Sequence, residues 1–594
     1  MAVGRWLVRL WPWLLALLIL GPALAPGYVL SYDMVFVPDL ALRPDSWGLG
    51  SSLPRAVPSD ALVGLADVLL PGDVLQKLVL LLALGLAGAG AARLVPSTSV
   101  VARLAATSAY VWNPFVAERL GLGHWPLLLT YAALPWLLVE ARRLGRGTGS
   151  PARVVLWIAV GSLSPAGGVI SVVAAVVGVA SARAGLRAVA TTALGGVLLN
   201  APWIVAGALH GTAGRGDPAG ATVFAARGEG LLPAPLAVLG LGGVWNSEVV
   251  PASRLGWPAV VALVLLLALC AAGAPAWRRA EHPALRLALP LLAVLGVVVA
   301  LAGWAAPGAV AALGEAVPGA GLLRDGTRWV ALLAPLLASL TGLGVARAAA
   351  AVRPAVAGPV VGTVLVLAPL ALAPDVAAGL GGRLRAVDYP AEHAAARASL
   401  DRAVAARSGG AGGGGDVLLL PFSSYRAPSW NGDRRVLDPL GRYLRPDFLQ
   451  SDDLYVSGRR VAGEDPRAAR VARVLEQGGA PAVVGRRLRA EGIGWVVLDL
   501  EAQRQVGTAV PSLPVAAEDD PRVVHAGTRL RVWELPGPVA RDVDGVPAVP
   551  VAGAWGLAGL VLVVAGVGVV RRGPRRRRAV HAKALPGGTF AADR

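Results

Sequence analysis

Runs of apolar residues separated by short polar connections fill most of this chain, and only the stretch from about 374 to 548 breaks the pattern. A helix needs about 20 mostly apolar residues to cross the hydrocarbon layer, so runs of this kind predict transmembrane helices. They fall near residues 10–27, 75–92, 98–113, 126–141, 153–164, 168–182, 188–208, 257–274, 284–304, 329–346, 354–373 and 550–570. The expectation is a polytopic α-helical membrane protein of about 12 crossings. The runs at 153–164 and 168–182 are too short to span alone. Between them, Ser164-Pro165-Ala166-Gly167-Gly168 predicts a turn sunk below the membrane surface, shielded by protein or lining a wet cavity.

The polar stretch contains strand-length apolar runs at 417–421, 495–499 and 530–535, with helical patterns at 391–405 and 468–477 between them, which predicts a small α/β domain. The glycine run at 409–415 has no Lys-Ser/Thr after it and opens no helix, so it is expected to be an insertion and not a phosphate loop. The predicted organisation is a transmembrane domain with outer loops (1–373), an extracytoplasmic α/β domain (374–548), a last transmembrane helix (549–572) and a basic cytoplasmic tail (573–594). The first apolar run follows Arg5 and Arg9 and ends in Ala23-Leu24-Ala25 like a signal peptide, but Pro26 disfavours cleavage there, so it is kept as a helix.

Composition changes the picture in two ways. A hydrophobic fraction of 55% makes lipid the main solvent, and the net charge of +18 is nearly all arginine. Those arginines recur at every second connection: Arg93 and Arg103, Arg142 to Arg153, Arg183 and Arg187, Arg278 and Arg279, Arg347 and Arg353, then the tail. Basic residues stay cytoplasmic, so both termini are expected inside the plasma membrane and the α/β domain outside. Basic stripes interleaved with aromatics are absent, which argues against nucleic acid as a partner. Cys270 is the only cysteine, so neither an internal disulfide nor a cysteine metal cage can form.

Candidate chemistry lies in three outer connections. The first loop carries Asp33 and Asp39, carboxylates just beyond a transmembrane helix, where one could take a proton from a hydroxyl or hold a metal beside a phosphate; turn capping is the plainer role. Asp33 is nearer the helix end and Asp39 is the alternative acid. The second crowds Glu118, Arg119 and His124 between interfacial tryptophans, which suits recognition of a polar group or, more plainly, an aromatic belt with a surface ion pair. No second histidine or carboxylate is spaced with His124 to make a metal site. The third, Arg324-Asp325-Gly326-Thr327-Arg328, sets two arginines beside an expected helix start, either as a phosphate clamp or as an Arg–Asp pair anchoring the loop.

Together, Tyr32-Asp33, Pro38-Asp39, Asn113-Pro114-Phe115 through Gly123-His124-Trp125, the Ser-Pro-Ala-Gly-Gly turn and the Arg324–Arg328 cluster resemble the GT-C superfamily of membrane glycosyltransferases, especially its actinobacterial arabinofuranosyltransferase-like and YfhO-like members. Asp388-Tyr389-Pro390, Trp430-Asn431-Gly432 and Leu437-Asp438-Pro439 resemble their extracytoplasmic domains. The resemblance implies an enzyme of the cell envelope that takes a sugar from a polyprenyl-phosphate donor and passes it to an envelope glycan or glycolipid. It implies Asp33 as base, Arg324 and Arg328 at the donor phosphate, and Glu118, Arg119, His124 and Asp325 at the substrates. The first loop lacks the Asp-x-Asp or adjacent acidic pair of the best-defined members, which leaves a divalent cation, magnesium or manganese, as an open question. The rival expectation is a catalytically silent GT-C-like envelope-assembly protein that binds lipid-linked glycan or a partner protein. A transporter is disfavoured, since no matched charges sit mid-helix and no inverted repeat is visible.

Overall fold

A computed structural model describes residues 2–51, 53–210, 217–317, 319–408, 414–456, 458–506, 522–540, 543 and 545–582. The glycine run at 409–413, and the side chains of the basic tail beyond Arg571, lie outside the described residues. The principal helices of the first part are α1 (Ala2–Leu20), α2 (Gly72–Leu94), α3 (Val100–Val111), α4 (Pro114–Gly121), α5 (Trp125–Gly145), α6 (Pro151–Gly161), α7 (Pro165–Ser181), α8 (Leu186–Leu209), α9 (Trp257–Ala280), α10 (Pro283–Ala305), α11 (Ala334–Ala351) and α12 (Gly358–Leu372). The first begins well before residue 10, because an apolar run marks where a helix meets lipid and not where its backbone starts to coil.

Among the described residues, eight stretches are long and apolar enough to cross a membrane: Val3–Leu24, Gly72–Leu94, Leu186–Leu209, Trp257–Ala280, Pro283–Ala305, Gly326–Ala351, Ala355–Leu372 and Ala548–Arg571. Four other helices, α3, α5, α6 and α7, fall outside that set. The first, third and fourth have only 12, 11 and 17 residues, and α5 is interrupted by Thr130, Pro135, Glu140 and Arg142. Helix α5 packs on α2, α6 and α7 and is buried along most of its length, so it need not present an apolar face to lipid.

The connections sort to two ends of this bundle. Arg142 donates to the carbonyls of Arg93 and Leu94 at 2.8 Å and pairs with Glu281 at 3.4 Å, and Arg347 donates to the carbonyl of Ala272 at 2.9 Å, so arginine-rich connections meet at one end. At the other end the long connections meet the α/β unit.

That unit contains α13 (Ala391–Ser408), α14 (Pro466–Gln477) and α15 (Pro481–Ala490), and the chain closes with α16 (Ala548–Ala582). Its sheet holds β3 (Asp416–Leu420), β4 (Phe448–Leu449), β5 (Ile493–Asp499), β6 (Val523–Ala526) and β7 (Leu530–Glu534), in the order β6-β7-β5-β3-β4. Strand β3 runs parallel to both β4 and β5, and β7 is antiparallel to β5. Alternate residues of β3 face opposite layers: Leu418 and Leu420 pack on α14 and α15, while Val417 and Leu419 pack with Trp495 on α13. Burial on both faces is what makes the runs at 417–421 and 495–499 continuously apolar.

The α/β unit is tied to the first loop. Strand β1 (Tyr28–Val29) pairs antiparallel with β2 (Ala386–Val387), and Tyr389 packs its ring on Tyr28, Trp430 and Tyr443 while donating to the carbonyl of Phe36 at 2.9 Å. The Arg43 guanidinium donates to the carbonyls of Gly441 and Leu444 and stands 3.9 Å from Asp447. The motifs around Tyr389, Trp430 and Asp438 therefore serve docking and folding, with Asp438 buried 2.6 Å from Arg426.

Burial, reinforced by the neighbouring carboxylates of Asp45 and Asp416, pushes the Asp447 pKa up to about 7. A carboxyl group with a raised folded-state pKa binds a proton more tightly when folded, so stability falls as pH rises from its unfolded value near 4 to about 7. The α/β unit is expected to resist urea or protease better at pH 5 than at pH 8, and Asp447→Asn should flatten that dependence. A second expectation concerns Trp495, whose side chain is fully buried between β3 and α13. Truncation to alanine should destabilise the unit by about 3–5 kcal/mol, read as faster trypsin cleavage within 391–535 in intact membranes while the helical unit stays resistant.

Candidate functional site

A cavity of about 1640 Å³ lies between the two units. Its walls come from the first loop, the α4–α5 corner, the α6–α7 break, the segments at 245–248 and 319–328, and the loops after β3 and β4. Strands β3, β4 and β5 are mutually parallel and point their carboxyl ends at it, the edge of an open α/β sheet where ligands collect.

Asp33 is placed by backbone bonds from both units. Ser31 to Met34 form a turn with Tyr32 in the left-handed region, at φ 44°, a strained geometry that such sites often hold. The Asp33 N–H donates to the Leu122 carbonyl at 3.1 Å, and Tyr32 exchanges bonds with Arg435 and Leu437 at 2.8 Å. The turn rests on Gly123, whose φ of +73° and contacts admit no side chain: a Cβ there would stand 2.3 Å from the Met34 nitrogen and the Ser31 oxygen. The Asp33 side chain keeps 45% of its surface open, and that surface belongs to the cavity lining.

Two side chains hold the carboxylate. His124 Nε2 lies 3.2 Å from Oδ2, and the Tyr425 hydroxyl donates to Oδ1 at 2.5 Å. The other imidazole nitrogen, Nδ1, faces Arg119 Nη1 at 3.3 Å. A guanidinium can only donate, so Nδ1 accepts and the proton sits on Nε2, donated to Asp33. Burial, against the pull of Asp33 and helped by Arg328 and Arg119, holds the His124 pKa below its usual value, which keeps the ring neutral at pH 7. Burial alone would raise Asp33; the His124 and Tyr425 hydrogen bonds and the Arg328 charge outweigh it and hold the carboxylate below its ordinary range.

Behind this pair, Arg119 is itself buried. It donates to Thr327 Oγ1 at 2.6 Å and stands 3.3 Å from Asp325, which accepts from Thr327 at 2.6 Å and from Arg328 Nε at 2.9 Å. Against burial, the Arg119 and Arg328 guanidinia hold Asp325 well below the carboxylate range. Among the described residues Nη1 and Nη2 of Arg328 have no hydrogen-bond partner, and Arg328 lines the cavity. Arg324 is also on the wall, 2.5 Å from Glu464 and 5.1 Å from the Phe224 ring centroid. The α6–α7 break lines it too: Ser164 caps α7, and Gly168 sits so close to Asn200 that a Cβ would stand 1.8 Å from its side-chain oxygen.

The structure thus brings Asp33, His124, Arg324, Asp325 and Arg328 to one cavity. It places three of the sequence candidates elsewhere. Asp39 points to the surface, where the charges of Arg397 at 2.7 Å and Arg445 at 2.6 Å hold it away from the cavity. Glu118 and Arg119 form no surface pair. Both are buried, as are all residues of α4 from Phe115 to Gly121. Glu118 faces Glu229, itself 2.7 Å from Arg254, and burial with that neighbouring carboxylate raises its pKa well above the usual value. The arginine pair is not at an α-helix start either: Gly326–Leu332 is a 3-10 segment and α11 begins at Ala334.

Tyr425 and Glu464 join the wall without having been singled out, beside Arg55 of the first loop and Glu248 of the segment at 245–248. Tyr32 donates to Glu248, and Arg55 lies 3.0 Å from Glu464. Tyr425 follows a predicted strand, and position after a parallel strand was the one signal that pointed to it. Among the described residues no three His, Cys, Asp or Glu side chains are grouped as a metal ion would require. The chain matches no protein-family profile, no curated protein and no solved structure.

Removing the Tyr425 hydrogen bond should free Asp33 to be protonated more easily. In Tyr425→Phe the pH of half-labelling of Asp33 by a hydrophobic carbodiimide, which reacts with protonated carboxyls, is expected to rise by about one unit, equivalent to about 1.4 kcal/mol. Tyr455→Phe, on the same wall, should leave it unchanged.

Proposed function

We propose that this protein is a cell-envelope glycosyltransferase that takes sugar from a polyprenyl-phosphate donor. The observation that carries this is the meeting of one anionic carboxylate, Asp33, and two guanidinia, Arg324 and Arg328, on a single cavity between a helical membrane unit and an α/β unit. In the reaction an acceptor hydroxyl oxygen bonds to the anomeric carbon as the bond from that carbon to the donor phosphate breaks. The hydroxyl proton passes to Asp33, and the electron pair leaves with the phosphate, whose charge Arg328 and Arg324 meet.

Magnitudes apportion the roles. A general base is most effective when its pKa lies near the working pH, and Asp33 is held below its ordinary range, so its proton-transfer contribution is on the low side. More of the barrier reduction falls to the guanidinia, since donors fixed where charge develops are commonly the larger factor. Arg119 and Asp325 act as positioning residues: the first sets the His124 tautomer, and the second anchors Arg328.

In this reading the four shorter or more polar helices, α3, α5, α6 and α7, complete about 12 crossings. The α/β unit lies outside the plasma membrane, with both termini in the cytoplasm, as the arginine-rich end of the bundle supports. The acceptor is an envelope glycan or glycolipid. A second reading, a catalytically silent assembly protein holding lipid-linked glycan, is favoured by the Arg324–Glu464 pair, which occupies one of the two guanidinia.

Sugar transfer from a radiolabelled polyprenyl-phosphate sugar in membranes separates them. Asp33→Ala and Arg328→Gln are each expected to lower the rate by about 10²–10⁴-fold with normal protein levels, and Asp39→Ala to leave it within about twofold. Full activity in Asp33→Ala would remove that residue from the chemistry.

A further inference from the structure

One carboxylate of the α/β unit occupies the guanidinia of the helical unit in the way an oxyanion would. Glu464 Oε1 accepts from Arg324 at 2.5 Å, and Oε2 lies 3.0 Å from Arg55, a residue of the first loop. Asp452 adds a longer contact to Arg55, at 3.5 Å. All four residues line the cavity that holds Arg328 and Asp33. Arg55 and Arg324 come from separate connections, and one carboxylate bridging both is the geometry that guanidinium forks adopt around phosphate oxygens.

We propose that Glu464 is an internal stand-in for a phosphoryl anion, so that Arg55, Arg324 and Arg328 together form the binding site and the ligand enters by displacing Glu464 from the first two. The anion has two available sources, the phosphate of a lipid and free phosphate, which share this chemistry. Displacement follows from simple competition. A site filled part of the time by a tethered carboxylate binds its ligand with an affinity reduced by the fraction of time it is open. A terminal or free phosphate offers at least three oxygens and up to two charges where Glu464 offers two oxygens and one, and Arg328 stands ready with two nitrogens that lack a partner among the described residues. Because Glu464 belongs to the α/β unit, each binding event also breaks two ion pairs between the units. This inference rests on reading the cavity as a phosphate-handling site. It does not require sugar transfer, so loss of transfer with phosphate binding as described below would count against the enzyme and leave the stand-in intact.

The test uses the full chain in lipid nanodiscs, with radiolabelled inorganic phosphate and a short prenyl monophosphate as separate probes. Glu464→Gln keeps the shape and removes the charge, and is expected to tighten binding of at least one probe by about tenfold, or about 1.4 kcal/mol. Arg55→Gln should weaken it by a comparable factor. A prenyl monophosphate bound more tightly than inorganic phosphate assigns the site to a lipid headgroup, and equal affinities assign it to the free anion; both support the stand-in. Unchanged affinities in Glu464→Gln, or no binding of either probe to either protein, overturn it and leave a docking ion pair only. Should that variant fold poorly, hydrogen exchange on the wild type decides: saturating probe is expected to speed amide exchange around 462–466 as Glu464 is released, and unaltered exchange there refutes the proposal.

Discussion

The site depends on one buried cation. Arg119 is only 1% exposed, and a guanidinium taken out of water calls for well-placed acceptors around it. Asp325, Thr327 and His124 supply them for its two terminal nitrogens, while Nε has no partner among the described residues, and each of the three is fixed in return. Asp325 thereby holds Arg328 at the cavity, and His124 is confined to the tautomer that donates to Asp33. The demand of this cation for partners thus joins the α4–α5 corner to the segment before α11 and carries that order into the first loop.

The Asp33 carboxylate shows how far such a chain of hydrogen bonds reaches. Its two donors come from opposite units, His124 from the helical bundle and Tyr425 from the loop after β3. Neither unit alone reproduces the electrostatic setting of the acid. Docking through β1–β2, the Tyr389 aromatic cluster and Arg43 is therefore part of building the site as well as of holding the molecule together.

Much of the architecture could be read from the chain because an apolar run marks removal from water, whether its side chains meet lipid or a protein core. The helices at 75–92 and 284–304 and the strands at 417–421 and 495–499 appear close to their expected places for that reason. Asp33, His124 and Arg328 were recognisable as charged or polar groups in connections at the end of the bundle that meets the α/β unit. Glu118 and Arg119 were misjudged as surface residues because a charged pair in a turn looks alike whether α4 faces water or lies under another corner, and only tertiary packing decides. Tyr425 and Glu464 escaped notice for a related reason. Their partners lie hundreds of positions away, and no local pattern encodes a cross-unit contact.

That separation has a consequence for biosynthesis. Asp33 and Tyr425 are 392 positions apart, which at about 5–20 residues per second is about 20–80 s of translation. During that interval the first loop already exists with Arg43, Arg55 and Asp33 lacking their partners from the α/β unit, so water or lipid headgroups must solvate what those partners later cover. Nascent-chain capture at successive lengths would find the cavity wall assembled last, after every membrane-length apolar helix described except Ala548–Arg571 has been made.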